Sequence, residues 1–190
     1  STRRIAQKMI RMNDTASFMG FDVYMTCYIL QIPLKHWFSA EQKIREEWKE
    51  TAYHTLIRQL GRQKYISRPT VKRWFGLNGS RAVYPKREHV LKMGLMLGWS
   101  QQQLQECLLQ GLCEPGIIIN DYSEMLYLYC AANHLSLEKC EDMIHAFELE
   151  ARATIEMEQK SHTDLLWKMY QINKEKTPAC FLAWMVEHAA

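Results

Sequence analysis

The sequence contains few of the residues that mark disulfide-rich, collagen-like or low-complexity proteins. Of its 190 residues, 8 are glycine and 5 are proline, which excludes collagen and flexible linker sequences. The six cysteines include no Cys-x-x-Cys pair and lie mostly within apolar runs such as Leu126-Tyr-Leu-Tyr-Cys130. We therefore expect buried free thiols and a reducing, cytoplasmic location.

Long apolar runs are also missing. The longest, from Phe18 to Leu34, is interrupted by Asp22 and Pro33 among others, so it falls short of the roughly 20 apolar residues that a membrane span needs. This run predicts a core helix, and we expect no membrane segment in the chain.

The two ends of the chain suggest a longer protein. The sequence starts at Ser1 without an initiator methionine, and the last apolar helix, opened by Thr177-Pro178, reaches Ala190 without a stop signal. We therefore expect further protein beyond Ala190.

No set of residues indicates catalysis or metal binding. The seven histidines are scattered, and the closest His/Cys/acid group has one cysteine, Cys140, between His134 and His145. Zinc favours paired ligands at spacings of about two to five residues. Neither common form of glycine-rich phosphate loop is present, and nothing distinguishes one cysteine as a nucleophile. We expect a protein that is not an enzyme and that has no metal and no cofactor.

What the sequence does have is a helical pattern throughout. Hydrophobic residues make up 47% of the chain and recur at three- and four-residue spacing, whereas the one β-like run, Gly116-Ile-Ile-Ile119, is too short for a sheet. We predict an all-α, multi-helical fold in which a helix-turn-helix is followed by further helical hairpins. The predicted helices span residues 2–12, 15–32, 40–63, 68–75, 86–97, 100–110, 121–133, 136–159, 161–173 and 178–189.

The net charge of +3 conceals a strong segregation along the chain. Residues 54–92 carry ten Lys and Arg against a single acidic residue, Glu88, which gives +9, whereas residues 93–190 carry −8. A block this basic is a candidate surface for binding a polyanion. The alternative is that the basic block pairs with the acidic half, within the molecule or across a dimer.

The middle of the basic block has the spacing of a helix-turn-helix. Gly61 is expected to allow close crossing of the two helices, Ile66 lies in the turn, and Val71 and Trp74 share the inner face of a second helix capped by Ser67. Long donors on the first two turns of such a helix suit base readout and phosphate contact. The residues expected to point outward are Arg68, Pro69, Thr70, Lys72 and Arg73.

Two stretches, residues 66–75 and 85–100, resemble the lambda-repressor-like, or XRE-type, helix-turn-helix family. The first, Ile66-Ser-Arg-Pro-Thr-Val-Lys-Arg-Trp-Phe75, is similar to its recognition helix, and the second, Pro85-Lys-Arg-Glu-His-Val-Leu-Lys-Met-Gly-Leu-Met-Leu-Gly-Trp-Ser100, to the helix and turn that follow. The segment that contains them, about residues 55–100, is the only part of the chain that the resemblance covers, about 45 of the 190 residues. Tyr65 stands where the family usually has glycine, so we expect a remodelled turn.

The resemblance implies sequence-specific binding of double-stranded DNA by a bacterial-type transcription regulator, and oligomerisation through helices. Four residues, Ser67, Arg68, Lys72 and Arg73, fall on positions that face DNA in that family. With the neighbouring polar and basic residues, the predicted DNA-binding set is Ser67, Arg68, Thr70, Lys72, Arg73, Arg62, Lys64, Arg81, Lys86 and Arg87.

The charge and motif patterns together suggest three regions. We expect N-terminal helices packing on the core at residues 1–39, a helix-turn-helix DNA-binding-like domain at residues 40–111, and an acidic helical region for homodimerisation or partner contact at residues 112–190, truncated at its C-terminus. The alternative is a helical protein–protein interaction module of a larger signalling protein that does not bind DNA.

Overall fold

A computed structural model of the chain describes residues 19–151 and 163–188, which form ten α-helices and no strand. The helices are α1 (Phe21–Leu30), α2 (Leu34–Ser39), α3 (Gln42–Leu60), α4 (Arg68–Phe75), α5 (Arg87–Met96), α6 (Gln101–Glu106), α7 (Tyr122–Ala132), α8 (Leu137–Ala151), α9 (Thr163–Asn173) and α10 (Pro178–His188). Helix α6 continues into one π-helical turn, Cys107–Gly111.

The predicted all-α, multi-helical fold is confirmed in these residues. The helix predicted at 68–75 coincides with α4, and those predicted at 86–97 and 178–189 match α5 and α10 to within one residue at each end. The predicted helix 2–12 lies outside the described residues. So do parts of four other predicted helices, residues 15–18, 152–159, 161–162 and 189.

The structure contains one helix that the sequence pattern did not predict: α2, which lies between the predicted helices 15–32 and 40–63. Pro33, which interrupts the apolar run 18–34, is the N-cap of α2. This six-residue helix buries Trp37, and the guanidinium of Arg45 donates hydrogen bonds to the carbonyls of Trp37 (2.8 Å) and Phe38 (2.6 Å). Because these contacts stabilise its C-terminal end from the next helix, local sequence signals did not reveal α2.

The chain forms two compact units. The first comprises the described residues up to Met93 together with Glu106–Gly116, and the second comprises Gly94–Gln105 and the described residues from Ile117 onward. The chain therefore passes between the units three times. The assignment of DNA binding to residues 40–111 and of dimerisation to residues 112–190 stays a prediction.

In the first unit, α1 packs against α3, α4 and the π-helical turn. The rings of Phe21 and Trp74 meet edge to face, 5.8 Å between centroids, and join α1 to α4. At the margin of this core, the ammonium of Lys49 lies 3.3 Å from the Asp22 carboxylate, and both side chains are largely buried. Helix α4 is thus held in place on its buried side by the aromatic contact with α1 and by packing against α3.

In the second unit, α8 packs against α7 and α10. Helix α7 is apolar on almost every side, and its Tyr129 stacks on Phe181 of α10 with 4.0 Å between ring centroids. The Tyr129 hydroxyl donates a hydrogen bond to the Lys176 carbonyl, which satisfies the polar end of a buried ring.

The structure tests the predictions made for the cysteines and for membrane-spanning segments. All six thiols are free, and the prediction of burial is confirmed for Cys107, Cys113, Cys130 and Cys140 but is wrong for Cys180, which is exposed. Burial raises the pKa of the half-buried Cys27 to about 11. Among the described helices, none combines the length and the apolar character that crossing a bilayer requires.

Candidate nucleic-acid interface

The residues at the two ends of α4 determine where this helix begins and ends. The Ser67 hydroxyl accepts a hydrogen bond from the Thr70 backbone N–H (3.3 Å) and lies 2.8 Å from the Thr70 hydroxyl, so it caps the first turn. Pro69 lies within that turn, where its missing N–H costs no helical hydrogen bond. The helix ends at Gly76, whose backbone is left-handed.

The two faces of α4 differ sharply. Val71, Trp74 and Phe75 are almost completely buried, as three- and four-residue spacing on one helix face requires. Arg68, Lys72 and Arg73, by contrast, are exposed. The inner and outer positions predicted from the sequence are therefore as expected, and long cationic side chains project from the outer face.

The turn between α3 and α4 is organised by Gln63, a residue that the sequence pattern did not indicate. Its side-chain oxygen accepts hydrogen bonds from the backbone N–H groups of Tyr65 (2.7 Å) and Ile66 (2.8 Å), and its amide nitrogen donates to the Ile66 carbonyl. Ile66 is buried beneath this network. The signal in the sequence was a polar residue three positions before the buried turn residue, which alone is not specific.

Gly61 has a different role from the one predicted. It is exposed, and no heavy atom lies within 4 Å of the Cβ that a larger residue would add there. Its φ of +64° instead allows the chain to leave the C-terminus of α3. The prediction that Gly61 allows a close helix crossing is wrong, because the position is governed by backbone conformation rather than by packing.

The loop after α4 returns to the helix. The backbone N–H of Val83 donates a hydrogen bond to the Arg73 carbonyl (3.0 Å), so residues near Arg81 lie beside the C-terminus of α4. A Cβ at Gly76 would lie 2.5 Å from the Ala82 backbone nitrogen, which shows how closely the loop approaches. The exposed Arg81 therefore belongs to the same part of the surface as Arg73.

A second row of basic residues runs along α5. Lys86, His89 and Lys92 follow one another at three-residue spacing, and the His89 ring lies 6.0 Å from the Trp74 ring of α4. The ammonium groups of Lys92 and Lys64 lie 5.9 Å and 5.5 Å from the centre of the Tyr65 ring, within the range of a cation–π interaction. These contacts place the α5 row alongside α4 and its turn.

The electrostatics of His89 reflect this environment. Burial is the main cause that lowers its pKa, Lys92 and Lys86 lower it further, and only Glu88 opposes them. A histidine here is neutral at pH 7, because neighbouring ammonium groups and desolvation both disfavour its charged form.

The exposed cations on this part of the surface have no acidic partner in the part of the chain that the structure describes. Within it, six of the predicted site residues form no ion pair: Arg62, Arg68, Lys72, Arg73, Arg81 and Lys86. All six are exposed. We refer to these six residues, with Lys64, as the basic face.

Arg87 departs from the predicted set. Its guanidinium donates hydrogen bonds to the carbonyls of Pro115 (2.7 Å) and Gly116 (2.6 Å) and lies 3.5 Å from the Glu114 carboxylate. Arg87 thus holds the end of the segment that follows α6. These contacts give Arg87 a structural role, and its contact with DNA stays a prediction. Ser67 and Thr70 also serve chiefly as the helix cap, as described above.

Comparison of the chain with models of protein families, with curated proteins and with solved structures found no match. In the described residues, no three His, Cys, Asp or Glu side chains come together as ligands for a metal ion.

Proposed function

We propose that this chain binds double-stranded DNA through the basic face, with α4 as the recognition helix of a transcription regulator. The observation that carries the proposal is the contrast between the buried and the exposed side chains of α4. Val71 and Trp74 are buried, whereas Arg68, Lys72 and Arg73 are exposed and form no ion pair with the described residues. Cations left unpaired by the protein are available to a polyanion.

The arrangement suits duplex DNA better than an acidic protein for a geometric reason. A helix fits the major groove, where its outer side chains reach base edges while flanking cations contact phosphates. Here the flanking cations come from the turn (Lys64), from the loop beside the end of α4 (Arg81) and from the start of α5 (Lys86). Phosphate contacts from three sides would fix the orientation of α4 on the duplex.

The proposal extends to the family that the sequence resembles. A lambda-repressor-like regulator acts in the bacterial cytoplasm and pairs its copies through helices outside the helix-turn-helix. In this chain, the acidic helical region that contains α8 would supply that homodimer contact, since its charge does not favour DNA.

Fluorescence anisotropy with a labelled duplex of mixed sequence, measured across a series of salt concentrations, tests the proposal. If about five phosphates are neutralised, log K should fall against log salt with a slope of about −4 to −5. The triple variant Arg68→Ala/Lys72→Ala/Arg73→Ala should lower both the affinity and the steepness of the slope. It removes three cations whose contact with phosphates would displace counterions from the DNA.

A matched control removes three exposed lysines of the second unit, Lys139→Ala/Lys168→Ala/Lys176→Ala. It changes the net charge by the same amount, so it should leave the slope close to that of the wild type. Absence of duplex binding at low salt, or equal losses in the two triple variants, would contradict the proposal. In that case the basic face would be a surface for an acidic protein.

A further inference from the structure

The outer face of α4 presents hydrogen-bond donors and no acceptors. Its exposed polar side chains are Arg68, Lys72 and Arg73, and neither guanidinium nor ammonium groups accept hydrogen bonds. Helix α4, whose sequence is Arg-Pro-Thr-Val-Lys-Arg-Trp-Phe, contains no asparagine, glutamine, aspartate or glutamate. It therefore lacks the side chains that commonly read adenine or cytosine.

The two hydroxyl groups near the start of α4 are already engaged. The Ser67 and Thr70 oxygens lie 2.8 Å apart, and the Ser67 oxygen also accepts the Thr70 backbone N–H. Releasing them to read a base would remove the cap of a helix of only eight residues. The long cationic side chains are thus the groups left to contact base edges.

A face of donors matches one base in the major groove. Guanine presents two acceptors there, N7 and O6. Adenine presents one acceptor, N7, beside a donor, cytosine presents a donor, and thymine presents a single acceptor beside a methyl group. An arginine fork binds both guanine atoms at once. Opposite adenine or cytosine, the same fork would meet a donor and leave its own N–H groups unpaired.

From these observations we infer that α4 selects guanine-containing major grooves, with Arg68 and Arg73 as the specificity-determining residues and Lys72 as a further donor. This inference rests on the proposed DNA binding, and it goes beyond it by naming the base that is read. It also predicts that binding depends on the N7 atom of guanine rather than on the phosphate backbone alone.

Anisotropy measurements with three duplexes of equal length test the inference. One has alternating guanine and cytosine, the second is identical except that every guanine is 7-deazaguanine, and the third has alternating adenine and thymine. The backbone charge is the same in all three, so differences report base readout. We expect the first duplex to bind about fivefold or more tightly than the second for each guanine that is contacted.

The double variant Arg68→Lys/Arg73→Lys provides the decisive comparison. It keeps the charge, so binding to all three duplexes at low salt should persist. Lysine still donates hydrogen bonds but lacks the two-pronged fork, so the preference for guanine should become weaker than in the wild type. Both residues are exposed, and circular dichroism checks that the variant is folded.

The outcomes separate the inference from the proposed function. Equal, salt-dependent affinity of the wild type for all three duplexes would overturn the inference and leave DNA binding standing. A guanine preference as strong in the double variant as in the wild type would overturn the assignment to Arg68 and Arg73. Failure to bind any duplex at low salt would overturn the proposed function and the inference with it.

Discussion

The side-chain oxygen of Gln63 lies 2.8 Å from the backbone nitrogen of Ile66 and accepts its hydrogen bond. The same oxygen accepts the Tyr65 N–H, so one side chain satisfies two backbone donors of the turn. In the family that the sequence resembles, a glycine usually shapes this turn, whereas here a glutamine side chain does so. The orientation of α4 relative to α3 thus depends on Gln63.

Replacing Gln63 with alanine should lower the free energy of unfolding by about 1–3 kcal/mol, because two partly buried N–H groups lose their acceptor. Urea unfolding followed by circular dichroism measures the change. Gln59→Ala is the control, since Gln59 is an exposed glutamine near the end of α3. Equal effects of the two substitutions would show that the turn does not depend on the Gln63 side chain.

Gly76→Ala should be strongly destabilising. Its φ of +59° costs an alanine about 1–2 kcal/mol, and the added Cβ would lie 2.5 Å from the Ala82 backbone nitrogen and 2.7 Å from the Ser80 carbonyl oxygen. Gly79→Ala separates the two costs, because Gly79 has a φ of +75° but no heavy atom within 4 Å of an added Cβ. Thermal unfolding should rank wild type above Gly79→Ala, and Gly79→Ala above Gly76→Ala; similar losses at both positions would contradict a tightly packed loop.

Asp22→Asn should destabilise the first unit by about 2 kcal/mol, because the largely buried ammonium of Lys49 loses its nearer carboxylate and keeps only the more exposed Glu46, at 3.9 Å. Adding Lys49→Met should restore most of this loss, and the double-mutant cycle gives the coupling energy of the pair. Glu50→Gln is the control, since it breaks a surface contact with His54 in which both side chains are well exposed. A loss as small as that of the control would mean that the Asp22–Lys49 pair behaves as a surface pair.

The stability of the protein should fall as the pH drops below about 6.5, the ordinary pKa of histidine. The pKa of His89 is lowered in the folded protein by burial and by Lys92 and Lys86. The unfolded chain therefore takes up a proton at a higher pH than the folded protein does, and stability that is full above the unfolded pKa is lost as the pH falls through the folded pKa.

His89→Gln tests this titration through the slope of unfolding free energy against pH. Removing the ring also removes its contact with Trp74, so the absolute stability changes at every pH, whereas only the titration changes the slope. His54→Gln, at an exposed position on α3, is the control. A slope unaltered in His89→Gln would assign the pH dependence to other groups.

The sequence predicted the helices best where the signals are local. Ser67, Pro69 and Gly76 bracket α4, and the spacing of Val71 and Trp74 marks its buried face, so both the extent and the orientation of this helix were predicted from residues within a few positions of one another.

Features that depend on contacts between distant residues could not be predicted in the same way. Arg87 looks like any other cation of the basic block, and only its hydrogen bonds to residues 28 and 29 positions away show that it is structural. Likewise α2 depends on Arg45, and the turn depends on the direction in which the Gln63 side chain points. Composition and spacing contain none of this information.

The three passages of the chain between the two units determine how the protein can be divided for experiments. A fragment that ends at Met93 would lack Glu106–Gly116, and with it the carbonyls that Arg87 binds. A fragment that begins at Ile117 would lack Gly94–Gln105, including the Gln105 side chain that accepts the Ile117 N–H (2.6 Å). A fragment that contains all of the first unit must run to Gly116, and it then also carries Gly94–Gln105 of the second. No single cleavage of the chain therefore separates the two units.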